Sequence, residues 1–153
     1  MLVAETEVLE GLELGALDAL VGYHLRRASS VFATDFARAI AGTGMRQVLF
    51  GILSIINASP GINQGNVGRA LGIQRANMVS LVNELVDRGL VLRAVAAEDR
   101  RAFALSLTRD GEAMIATCLD LIRAHEDRLL SDFSDADRAI LIALLGRIES
   151  KEG

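Results

Sequence analysis

One cysteine, two histidines and no uncharged apolar run of membrane length set the first limits on this 153-residue chain. Cys118 alone cannot form an internal disulfide, and His24 and His125 lie about a hundred residues apart, so no cluster has the spacing of metal ligands. The longest uncharged apolar run, residues 47–61, is interrupted by Ser54, Asn57 and Ser59 and falls short of the roughly 20 residues a membrane span needs. Glu5, Glu7, Glu10 and Glu13 stand where a secretory signal would carry basic residues, so a cytoplasmic location is expected. No nucleophile stands beside a base and no glycine-rich phosphate loop is present, so neither catalysis nor a cofactor or metal is expected. What is present is an ordinary globular composition, 51% hydrophobic and 24% charged. A chain of this length can bury about 70% of its unfolded surface in one domain, and a single domain over residues 1–153 is expected.

The net charge of −4 argues against a nucleic-acid partner only until its distribution is considered. Between Gly61 and Arg109 seven arginines face four acids, a local balance of +3 that leaves −7 for the remainder. The basic residues of that segment are Arg69, Arg75, Arg88, Arg93, Arg100, Arg101 and Arg109.

Hydrophobic periodicity predicts the elements. Apolar positions from Leu14 to Ile40 recur near a 3.6 period and predict one long helix ending at Gly42 and Gly44. Residues 45–58 are apolar nearly all round and predict a central buried helix, ended by Ser59-Pro60-Gly61. Asn63 is placed to cap a short helix that Gly72 terminates, and residues 74–88 follow as a helix with an apolar side and a polar one. Two short β-prone runs, residues 90–93 and 103–107, flank a polar, charged turn. Thr108 can cap a long helix to about Ser131, and Ser134, followed by Asp135 and Asp137, a last one to Glu149. A short helix, a turn, a second helix with a polar face and a hairpin make a winged helix-turn-helix, so the expected fold is mainly α with a small β-hairpin. The flanking helices would leave their apolar stripes half exposed on a monomer this small, which predicts packing against a second copy.

These residues resemble a known pattern. Pro60-Gly61-Ile62-Asn63-Gln64, Leu71-Gly72-Ile73, Leu81-Val82 to Leu85, Arg88-Gly89-Leu90-Val91 and Asp99-Arg100-Arg101 through Leu105, Leu107, Thr108 and Gly111 are together similar to the MarR family of bacterial transcriptional regulators. The resemblance covers about residues 15–150. Its most specific piece is Asp99-x-Arg101 followed by Leu105-x-Leu107-Thr108-x-x-Gly111. It implies a DNA-binding lobe at about residues 45–108 and a helical dimerisation region at about 12–42 and 109–150. It further implies a homodimer that binds a palindromic operator in double-stranded DNA and represses until a small effector arrives. Two features depart from the family pattern: Ser80 stands where a basic residue is frequent, and Asn83 and Glu84 replace a frequent acid-then-base pair.

On this reading Gln74, Arg75, Asn77 and Ser80 reach base edges or flanking phosphates in the major groove, Arg75 being the best match for guanine. Asn63, Gln64 and Asn66 stand near the N-terminus of the preceding helix, where free N–H groups favour a phosphate. Arg93, Arg100 and Arg101 of the hairpin are further DNA candidates, the hairpin arginines suiting the minor groove or its phosphates. The resemblance implies that Asp99 and Arg101 also brace the wing, with the division of labour between the two neighbouring arginines open. It places an effector pocket near Tyr23, His24, Arg27, Ser30 and Arg46 and suggests an aromatic acid, a phenol or an aromatic acyl-coenzyme A. Two other functions stand beside it: a winged-helix module for protein–protein assembly, and a redox sensor through Cys118. The latter conflicts with the apolar pattern of Ile115, Leu119 and Ile122 around that cysteine, which points to a buried thiol.

Overall fold

The computed structural model describes residues 12–95 and 103–152. These fall into two compact units that meet in sequence between Asp35 and Phe36.

The N-terminal unit corrects the expectation of one continuous helix from Leu14. A 3-10 helix, Gly15–Ala19, comes first, and Leu20 is extended (φ −96°, ψ 115°) before α1 begins at Val21 and runs to Ile40. Gly15 has φ +59°, a conformation other residues rarely adopt. The His24 ring hydrogen-bonds the Asp18 carbonyl across the break through Nε2 at 2.8 Å, a local closure that periodicity does not reveal.

In the second unit α1 ends in a 3-10 turn, Ala41–Thr43, and in Gly44 at φ +73°. The Thr43 hydroxyl ties this corner together: it donates to the Ile40 carbonyl (2.6 Å) and accepts from the Met45 N–H (3.1 Å). Helix α2 (Gln47–Ala58) is the core helix that its composition predicts, with Leu49, Ile52, Leu53 and Ile56 all buried. Helix α3 (Gln64–Leu71) starts on Asn63, whose side chain accepts from the Asn66 N–H at 2.8 Å, and stops at left-handed Gly72. Helix α4 (Arg75–Asp87) follows and buries Met78, Val82 and Leu85. The α3–α4 corner is tight because Gly68 has no side chain: a Cβ there would lie 2.8 Å from Met78 Cγ and 3.1 Å from the Ile73 carbonyl oxygen.

Strands β1 (Val91–Val95) and β2 (Phe103–Leu107) pair antiparallel, from Val91 opposite Leu107 to Val95 opposite Phe103. The segment leading into α3 pairs with β2 from the other side: Gly61 N–H donates to Leu105 O (2.8 Å), Leu105 N–H donates to Ile62 O (2.9 Å), and Asn63 bridges Ala104. The hairpin is thereby fastened to the helix-turn-helix at its root.

Helices α5 (Arg109–Leu129) and α6 (Asp135–Glu149) complete the chain. The Thr108–Gly111 motif has a physical reason. Thr108 Oγ1 donates to Gly89 O (2.6 Å) and accepts from the Gly111 N–H (3.0 Å), while a Cβ at Gly111 would collide with the Leu90 carbonyl oxygen. The sequence therefore joins wing and α5 at a contact only glycine permits. Helix α5 buries Ile115, Cys118, Ile122 and His125, and α6 buries no residue. Among the described residues no single helix is long and apolar enough to cross a membrane.

Candidate nucleic-acid interface

With Met78, Val82 and Leu85 facing the core, the 100° step of a helix turns Ala76, Val79, Ser80 and Asn83 of α4 outward, with Arg75 and Asn77 flanking them. The two halves of this surface differ in what their side chains do. In the first two turns Arg75, Asn77 and Ser80 have no side-chain partner among the described residues. Gln74 precedes them at the N-cap without a capping hydrogen bond, leaving the amides of the first turn open. Gln74, Asn77 and Ser80 come together on a groove of about 600 Å³ that runs past Val48 and Ile73.

The second half is held by three struts. Arg46, at the N-cap of α2, meets Glu84 through both terminal nitrogens (3.1 and 3.2 Å). Arg88, which follows α4, donates to the Gly44 carbonyl (3.0 Å) and stands 3.9 Å from the same Glu84 carboxylate. Arg93 of β1 donates to Asn83 Oδ1 (2.8 Å), with its guanidinium 5.5 Å from the centroid of the Phe103 ring. Helix α4 is thus fixed at one edge to the α1–α2 corner and at the other to the wing. Asn83 and Glu84, which together make one of the two departures from the family pattern, are strut anchors. Sequence reasoning missed these roles because the Arg46–Glu84 partners lie 38 residues apart. The visible signal was polar residues on α4 beyond its first two turns.

The other residues read from sequence fall as follows. The Asn63 side chain serves as a cap, Gln64 is half-buried, and Asn66 is exposed and accepts a hydrogen bond from Arg69 through Oδ1. Asp99, Arg100 and Arg101 lie outside the described residues. Of the effector candidates, Tyr23 packs edge-on to the His24 ring (5.3 Å between centroids), His24 holds Asp18, and Arg27 and Ser30 are exposed, all in the N-terminal unit. Arg46 belongs to the second unit and is engaged by Glu84. A separate open depression of about 520 Å³ in the second unit is lined by Thr43, Arg88, Leu90, Asp110, Met114 and Thr117, among others. It touches the C-cap of α4 through Arg88 and the α1–α2 corner through Thr43.

Cys118 is fully buried, its Sγ 3.8 Å from Thr43 Oγ1. A thiol without solvent access is not placed for reaction with a soluble oxidant. His125 is buried beside Phe36, the two rings edge-to-face with centroids 5.8 Å apart. Sequence reasoning did not place it; the spacing Ile115, Cys118, Ile122, His125, which follows one face of α5, is the signal that could have done so.

The profile of the MarR family matches residues 44–102. A putative transcriptional regulatory protein for the hcr operon of Thauera aromatica is 33% identical over 88% of this chain and 81% of its own length. Among solved structures, the transcriptional repressor CouR bound to a 23-mer DNA duplex is 35% identical with a TM-score of 0.86, over 90% of this chain and 98% of that one. CouR bound to p-coumaroyl-CoA is 33% identical with a TM-score of 0.80, over 93% of this chain and 99% of that one.

Proposed function

Because the chain belongs to the MarR family of transcriptional regulators, we propose that it is a homodimeric, effector-released repressor whose α4 enters the major groove of a palindromic operator. The observation that carries this is the contrast within α4: open polar groups on its first two turns, and struts to the wing and the α1–α2 corner on the rest. A recognition helix must be rigidly held beside the residues that read, since a base contact tolerates little misplacement. Two such helices must stand about 34 Å apart to fit successive major grooves.

The second copy is supported by apolar residues that this chain leaves exposed. On α6, Ile140, Ile142, Leu144 and Ile148 are 48–70% exposed, and near the N-terminus Leu14, Leu17, Leu20 and Val21 are 37–69% exposed. Within each unit, apolar side chains left this exposed suit packing against a second copy.

For the effector, the open depression beside Arg88 supports a small anion such as an aromatic acid, and the likeness to CouR carrying p-coumaroyl-CoA supports an aromatic acyl thioester. An anion drawn to Arg88 competes with its bonds to Glu84 and Gly44, and those bonds set the seat of α4. Release by about 100-fold requires roughly 2.7 kcal/mol of coupling between the two sites. The test is to measure the affinity of p-coumaroyl-CoA, and separately of salicylate, with and without a duplex from the DNA upstream of the gene. An effector must lose affinity on the duplex by the factor by which it weakens DNA binding. Equal ligand affinity in both states refutes the coupling, and no shift of any upstream fragment refutes DNA binding itself.

A further inference from the structure

The outward side of α4 carries one large apolar side chain that is open to solvent, Val79, 43% exposed. One turn further on, Asn83 is exposed as well, but its amide is not free to rotate. Arg93 holds Oδ1 at 2.8 Å and is itself seated over Phe103. Arginine can only donate, so the oxygen of Asn83 faces the wing and the NH₂ group is left at the open end of the amide. Residues four apart on a helix have their Cβ atoms about 6 Å apart on one face. Helix α4 therefore presents a branched apolar group and an oriented hydrogen-bond donor side by side.

In the major groove thymine alone offers the complement of that pair, a C5-methyl group next to the O4 acceptor. Cytosine puts a donor at the O4 position, and adenine and guanine have no methyl. Resting on the DNA-binding reading above, we propose that Val79 and Asn83 together read one thymine in each operator half-site, with Arg93 as the positioning residue that fixes the Asn83 amide.

Two modified bases separate the contacts. Deoxyuridine keeps O4 and lacks the methyl; 5-methyldeoxycytidine, paired with guanine, keeps the methyl and replaces the acceptor by a donor. A duplex is first selected from a random pool by the intact protein, and its thymines are then replaced one at a time. Affinities are read by fluorescence anisotropy. One thymine per half-site should respond, with deoxyuridine weakening binding about fourfold and 5-methyldeoxycytidine at least about fivefold. Val79→Ala should remove most of the deoxyuridine effect and leave the 5-methyldeoxycytidine effect. Asn83→Ala should do the reverse. Arg93→Ala should blunt the 5-methyldeoxycytidine effect while keeping the deoxyuridine effect. The proposal is overturned if no thymine responds to loss of its methyl, a result that needs no variant, or if the Val79→Ala protein keeps the full response. A selection that yields no duplex defeats the DNA-binding reading instead, and this proposal with it.

Discussion

Helices α2 and α6 are both rich in isoleucine and leucine, and they meet opposite fates. Helix α2 buries Leu49, Ile52, Leu53 and Ile56 completely, whereas α6 carries Ile140, Leu141, Ile142, Leu144, Leu145 and Ile148 and buries none of them. Local signals are no weaker in α6. Ser134 caps it through the Asp137 N–H (3.1 Å), and the Asp137 carboxylate returns a bond to the Ser134 N–H (3.0 Å). What differs is the packing partner. The fold supplies one for α2 from α3, β2 and α5, and the described chain supplies none that seals α6. An apolar helix with good caps and an uncovered surface is what the proposed second copy would cover.

Substitutions that act on one region and not the other sharpen this contrast. The largest effect is expected inside the second unit, at the contacts that fasten the wing and pack the core. Gly111→Ala forces a methyl into the Leu90 carbonyl, and Leu53→Ala opens a cavity in the core helix. Each should cost about 2–5 kcal/mol. For a domain of this size that corresponds to a fall of roughly 4–20 °C in the thermal midpoint, read by circular dichroism. A loss under about 1 kcal/mol at Leu53 would show that the core is not where the structure puts it.

Next comes Ile142→Asp on α6. It should leave the far-UV spectrum intact and shift the species seen by sedimentation velocity from dimer to monomer, with operator affinity falling alongside. If the variant instead loses its helical signal at every concentration, α6 is needed within the chain and the contrast with α2 fails.

A smaller effect is expected at the struts. Glu84→Gln removes the charge that Arg46 and Arg88 share. These groups are about a third to a half exposed, so the stability change should stay within about 1 kcal/mol. Operator affinity should fall by more than stability does, because the seat of α4 is what the struts define. An unchanged operator affinity would reduce them to incidental surface pairs. The smallest expected change is at Cys118: millimolar peroxide should leave DNA affinity unaltered, and a peroxide-dependent release abolished by Cys118→Ala would revive the redox reading.

What was legible in the sequence follows the range of the interaction. The caps Asn63, Thr108 and Ser134 act over three residues, and each was placed correctly from residue type and spacing. The core of α2 was legible because its helix is apolar nearly all round. The break at Leu20 was not, since it sits within an unbroken apolar stripe and is spanned by a hydrogen bond from His24 back to Asp18 that periodicity does not encode. For the interface, the open residues Arg75, Asn77 and Ser80 could be named from their place on a polar face. The anchors Asn83 and Glu84 could only be named as departures from a pattern. Their partners Arg93 and Arg46 come from elsewhere in the chain, and only the fold brings them together.

The central claim is that the first two turns of α4 lie in a DNA groove beside phosphates neutralised by arginine. The most direct measurement is a fluorescence anisotropy titration of the upstream duplex at a series of salt concentrations. Counterion release predicts that log K falls linearly with log salt, with a slope near −0.9 for each phosphate contacted. Arg75→Ala should weaken binding to the best sequence and narrow its advantage over scrambled DNA. No binding at low salt, or an affinity that salt does not alter, would contradict the account.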